Sequence, residues 1–152
     1  MPPWLWRSAE ALLLTLWVGG LWTVGYLAVP VLFHALDDQA LAGTLAGRMF
    51  SALAYLGLVA GTALLIASLR RPGGWRHWRT LVLLLMLGLV AVGQFVLHPA
   101  IAELRSAGLA AGSETVREFA RLHGLASALY LVNSLLGMGL VLVRAPPTPA
   151  GD

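Results

Sequence analysis

Four long uncharged stretches, at 11–33, 49–69, 80–97 and 124–143, alternate with short polar segments. A helix needs ~20 apolar residues to cross the hydrocarbon core, and ~17 suffice, so each stretch qualifies as a span. In lipid every backbone N–H and C=O must find its partner within its own segment, which makes the spans helical. The pattern predicts an all-α integral membrane four-helix bundle with helices at about 9–34, 46–69, 79–97 and 114–144. It reads as a single transmembrane domain over 1–145, followed by a proline-rich tail over 146–152 expected to be disordered and cytoplasmic. The first stretch exceeds the ~7–15 apolar residues of a signal peptide, follows Glu10 and lacks a small-x-small cleavage site, so it is expected to be retained.

The polar segment after the third stretch is the longest. Pro99 suits the first turn of a short interfacial helix on the outer surface, with Ile101 and Leu104 against the membrane. Gly108 and Gly112 are expected to end it, and Ser113 to cap a new helix that Thr115 and Glu118 support at capping-box spacing.

Charge fixes the expected orientation. Only 11% of residues are charged, against ~25% in soluble domains. The net charge of +3 comes from ten arginines and no lysine. Four of them, Arg70, Arg71, Arg76 and Arg79, crowd between the second and third stretches, which is a topology signal rather than a nucleic-acid footprint. With both termini inside, the cytoplasmic side also holds Arg7 and Arg144, and the outer side holds Arg48, Arg105, Arg117 and Arg121. Trp4, Trp6, Trp75 and Trp78 then lie at the inner interface. The expected location is the plasma membrane, the inner one in a bacterium. There is no cysteine, so disulfides and thiolate chemistry are excluded.

Polar residues inside the spans narrow the function classes. Wound at 100° per residue, the fourth helix places His123, Ser127, Tyr130, Ser134 and Gly137 on one stripe, with Asn133 beside it. The second aligns Arg48, Ser51, Tyr55 and Thr62. The first aligns Thr15, Gly19, Trp22, Tyr26 and Phe33, and the third carries Gln94 one turn from His98. Polar groups in lipid turn toward partners or water. The stripes are therefore expected inside the bundle, either lining an outward-facing polar vestibule or holding the helices together by hydrogen bonds. The ligand-binding candidates are Arg48, Tyr55, Gln94, His98, His123, Ser127 and Tyr130. His34, His98 and His123 reach the same outer rim from three helices and form a candidate metal or haem set, since imidazole suits copper, zinc or haem iron. No Asp, Glu, Lys or Arg lies mid-span, which disfavours a proton-coupled transporter. Gly57 and Gly61 form a small-xxx-small pair that fits either a homo-oligomer contact or packing within the bundle.

The succession GGLWTVGYLAVPVLFHAL, HPAIAELR and FARLHGLASALYLVNSLLGMGLVL resembles the transmembrane protein 205-like family of small four-helix membrane proteins. The most specific part is Phe119, His123, Gly124 and Ser127 at the opening of the fourth helix, with His98 and Pro99 after the third. Eukaryotic members of that family are associated with drug resistance, so the resemblance implies handling of small ligands. A more distant likeness runs to copper-resistance D-type membrane proteins and to the four-helix, haem-binding protoporphyrinogen oxidase, which pairs a first-helix histidine with a lysine. The leading expectation is a non-catalytic protein that binds or passes a small ion or molecule. The alternatives are a redox protein using copper or haem, and an accessory subunit whose only partners are lipid and protein.

Overall fold

The computed structural model describes residues 3–71, 74–106 and 114–143, and no strand occurs among them. Four helices carry the chain: α1 (Trp4–Ala35), α2 (Gln39–Leu69), α3 (Trp78–Ser106) and α4 (Glu114–Leu142). Each is long and apolar enough to cross a membrane. The expected breaks at Gly108 and Gly112, the Ser113 cap and the 146–152 tail lie outside the described residues.

Neighbours in sequence are neighbours in space, and α4 closes the ring against α1. Glu10 near the start of α1 pairs with Arg71 just past the end of α2. The guanidinium of Arg105 near the end of α3 lies close to Gly43 near the start of α2 and over the ring of Phe119 in α4. Successive helices therefore run antiparallel, with the chain start and the arginine-rich loop at one end, here the near end. The 36–38 link, Ser106 and Glu114 lie at the other, the far end. Trp4, Trp6 and Trp78 are exposed at the near end, where amphipathic rings suit a membrane boundary.

Helix starts follow local chemistry. Asp38 caps α2, its Oδ1 accepting from the N–H groups of Ala40 and Leu41 at 2.9 and 3.0 Å. This cap starts α2 at Gln39, about two turns before the expected 46. His77, itself exposed, caps α3 by accepting from the N–H of Arg79 at 3.4 Å.

The stretch from Pro99 is helical: His98–Ser106 follows on from the preceding turn of α3 without a break and packs on α4. A proline in a helix lacks an N–H, and its ring collides with the carbonyl four residues back. For Pro99 that is Phe95, and for Pro30 in α1 it is Tyr26. In both places the helix widens into a π turn, Gly93–Leu97 and Val24–Ala28, and stays continuous. The widened bonds run from His98 N–H to Gly93 O and from Val29 N–H to Val24 O, each five residues back.

The packed core occupies the near half. Trp17, Leu21, Leu53, Ala60, Leu64, Leu83, Met86 and Leu140 form it. A Cβ on Gly57 would stand 2.4 Å from the indole Nε1 of Trp17, and one on Gly61 2.8 Å from its far edge. These two glycines thus receive Trp17 of the same chain. Below the indole, Ser68 and Thr80 share a buried 2.6 Å hydrogen bond between α2 and α3.

Candidate functional site

Toward the far end the bundle stops being solid. A cavity of about 580 Å³ lies between the four helices, within the ~300–1,000 Å³ usual for small-molecule sites. Along α3 its wall runs from Leu89 to Arg105, a length of ~24 Å at 1.5 Å per residue. Along α4 it runs from His123 to Asn133, ~15 Å by the same rise. The space is therefore elongated along the bundle axis, and the Trp17 layer closes it below.

Small residues of α2 make the room. Gly43, Ala46, Gly47 and Ala54 line the cavity, and Gly43 and Ala46 are buried. Where side chains are this small, facing helices either close up or leave space, and here the aromatic rings of Phe50, Tyr26 and Tyr130 prop them apart. Tyr130 sits edge-on to Phe50 at 5.1 Å and 6.1 Å from Tyr26. Its hydroxyl donates to the carbonyl of Leu21 at 2.6 Å, so the ring bridges α4 to α1. Gly25 lets it approach: a Cβ there would lie 2.3 Å from the Tyr130 ring.

Three levels can be distinguished. At the mouth are Arg105, His98 and His123. Phe119 carries the Arg105 guanidinium 5.8 Å from its centroid and stacks parallel to His123 at 5.8 Å. His98 faces Ser51 of α2, with Nε2 3.4 Å from the hydroxyl. The middle is mainly apolar, with Val29, Phe50, Leu89, Val90 and Leu129, interrupted by Gln94 and Ser127. The Ser127 hydroxyl is already committed to the carbonyl of His123 at 2.9 Å. The floor is Trp17 and Asn133, both buried, and two of their atoms, Nε1 and Oδ1, have no hydrogen-bond partner among the described residues. Buried polar atoms are rarely left so. Water or a bound polar group would satisfy them.

Five of the expected ligand-binding residues, Gln94, His98, His123, Ser127 and Tyr130, line this one space. Arg48 and Tyr55 do not: both are exposed, and Tyr55 lies edge-on to Phe95 at 6.5 Å. The face of α2 turned inward is instead the small-residue stripe through Gly43, Ala46, Gly57, Ala60 and Gly61. Of the expected metal set, His98 and His123 line the cavity and His34 does not. His34 is exposed and donates from Nδ1 to the carbonyl of Pro30 at 2.8 Å. Among the described residues, no three His, Asp or Glu side chains gather closely enough to hold a metal ion. Sequence reasoning missed Arg105 and Trp17 as wall residues, and set Asn133 beside the inward stripe without naming it a ligand candidate. The available signal for Trp17 was its spacing opposite two α2 glycines.

Architecture and site together define a multi-pass, all-helical membrane protein with a cavity in one half of its bundle. The chain belongs to the family of the domain of unknown function DUF4149, whose family model matches residues 12–110, covering α1, α2 and α3. No curated protein and no solved structure matches it.

Proposed function

We propose that the protein binds a small organic molecule in the far-end cavity, without catalysis. We place it in the plasma membrane with both termini in the cytoplasm, so that the cavity opens outward; the arginine-rich near end supports this. The observation that carries the reading is the convergence of Gln94, His98, His123, Ser127 and Tyr130 from two helices on one elongated, mainly apolar space. Binding is favoured over passage because Trp17 forms the floor and Met86 and Leu140, both buried, fill the bundle below it. The likeness to the transmembrane protein 205-like family fits a role in handling small ligands.

The test is a thermal-shift screen of detergent-purified protein against amphipathic compounds. Compounds that raise the Tm of the wild type are expected to leave Ala54→Phe/Ala126→Phe unmoved, because phenyl rings there occupy the space. His98→Ala/His123→Ala should reduce the same shifts. Equal shifts in wild type and the filled variant would remove the cavity as the site.

A further inference from the structure

The cavity is polarised end to end, and its mouth holds a cation that no carboxylate among the described residues pairs with. Arg105 lines the mouth, and its guanidinium rests on the face of Phe119 and beside Gly43. The ion pairs among the described residues are Arg71 with Glu10 and Arg121 with Glu118; neither involves Arg105. A cation this close to apolar wall and partly withdrawn from water attracts an anion strongly. Below it the walls offer Leu21, Val29, Leu53, Leu89, Val90 and Leu129 over much of the depth. A compact inorganic anion would leave that apolar length empty, and a plain hydrocarbon would leave the guanidinium unpaired.

Resting on the reading that this cavity binds a small organic molecule, we propose that its occupant is a single-chain anionic amphiphile. Its carboxylate or phosphate sits on Arg105, and its apolar chain runs inward along α3 toward Trp17. Phe119 holds the guanidinium in place through its ring face. The absence of a side chain at Gly43 lets the guanidinium lie against the α2 backbone, at the edge of the cavity. The ~24 Å of wall along α3 fits an extended long-chain tail lying parallel to the helices.

The experiment uses the full chain in lipid nanodiscs, with binding measured by competition against a spin-labelled stearate. The competitors are hexadecanoate, a lysophosphatidate of equal chain length, an uncharged monoacylglycerol and acetate. Hexadecanoate or lysophosphatidate is expected to compete, and whichever is tighter distinguishes a carboxylate from a phosphate headgroup. Monoacylglycerol should be weaker by about tenfold or more, the effect of losing one charge-assisted contact, and acetate, which keeps the charge, should be weaker because it has no apolar chain to bury. R105Q should bring the acid down to the level of monoacylglycerol and leave monoacylglycerol unchanged, and R105K should keep most of the acid's affinity. If monoacylglycerol equals the acid in the wild type, or R105Q loses nothing, the anionic assignment is overturned and the cavity reading stands. If the stearate binds Ala54→Phe/Ala126→Phe as tightly as wild type, both fall together.

Discussion

At the scale of single residues, glycines decide how closely the helices approach, and their effects are separable. Gly25 has the ring of Tyr130 where its Cβ would be, and that ring is tethered by its hydroxyl to Leu21. It cannot swing away without losing a hydrogen bond. Gly25→Ala is therefore expected to destabilise the protein by about 1–3 kcal/mol through overpacking. Gly88 has open space at the same position, so Gly88→Ala should be neutral or stabilise by up to ~1 kcal/mol from helix propensity. Reversible SDS unfolding of the two variants checks the contrast, and equal losses would show that neither glycine is placed as described. Asn133 makes the opposite point. Its Oδ1 is buried without a partner, a condition that costs ~1–3 kcal/mol. Asn133→Leu keeps the branched outline, directs its extra bulk at the cavity and removes the orphan, so the ligand-free variant should melt at or above the wild-type temperature. A clearly lower Tm would mean that a water or ligand already satisfies the amide.

The helices show which parts of the site could be read from the chain and which could not. Four spans were legible because lipid leaves a helix no alternative and because charge is excluded from each core. The inward stripe of α4 was legible too: Asn133, Ser134 and Gly137 are buried, and His123, Ser127 and Tyr130 reach the cavity. On α2 the same winding was right in angle and wrong in direction. Polar Arg48 and Tyr55 face outward, whereas Gly43, Ala46, Gly57 and Ala60 face in. In a membrane the close-packed face is marked by small side chains rather than polar ones, and α2 carries both kinds on different faces. Nor could winding at 100° per residue follow α1 and α3 past their π turns, where each helix loses register. The prolines behind those turns give an expected outcome. Pro99→Ala restores an N–H that can bond the carbonyl of Phe95, letting Gly93–Leu97 tighten toward an α turn. Residues on the two sides of that turn would then rotate relative to one another. His98 and Arg105 would shift against Gln94, which lies within it. The variant should fold with a Tm close to wild type and lose affinity for any cavity ligand. A helix that keeps both its stability and its affinity without Pro99 would show that the proline does not set the geometry of the site.

For the whole molecule, the division into a solid near half and a hollow far half has meaning only relative to the two sides of the membrane. The near half is held by Trp17 seated on Gly57 and Gly61, by the buried Ser68–Thr80 bond and by the Glu10–Arg71 pair. An exposed pair of that kind adds only ~0.2–1 kcal/mol, so the indole and its glycine seat dominate. The near half also carries the four arginines of the 70–79 region, and clusters of this kind favour the cytoplasmic side, the orientation proposed above. The cavity should therefore face the opposite side, and its ligand should arrive from outside the cell or from the outer leaflet. Because the chain has no cysteine, single cysteines report this without background. Asp37→Cys and Glu114→Cys, both at exposed far-end positions, should react with a membrane-impermeant maleimide in intact cells. Arg7→Cys and Arg76→Cys, exposed at the near end, should react only after permeabilisation. The reverse pattern would keep the bundle and turn the cavity toward the cytoplasm, so that an amphiphile would enter from the inner leaflet. Labelling of 37 and 114 from different sides would instead break the even number of crossings, and with it the juxtaposition of Arg105, Phe119 and Gly43 on which the mouth of the site depends.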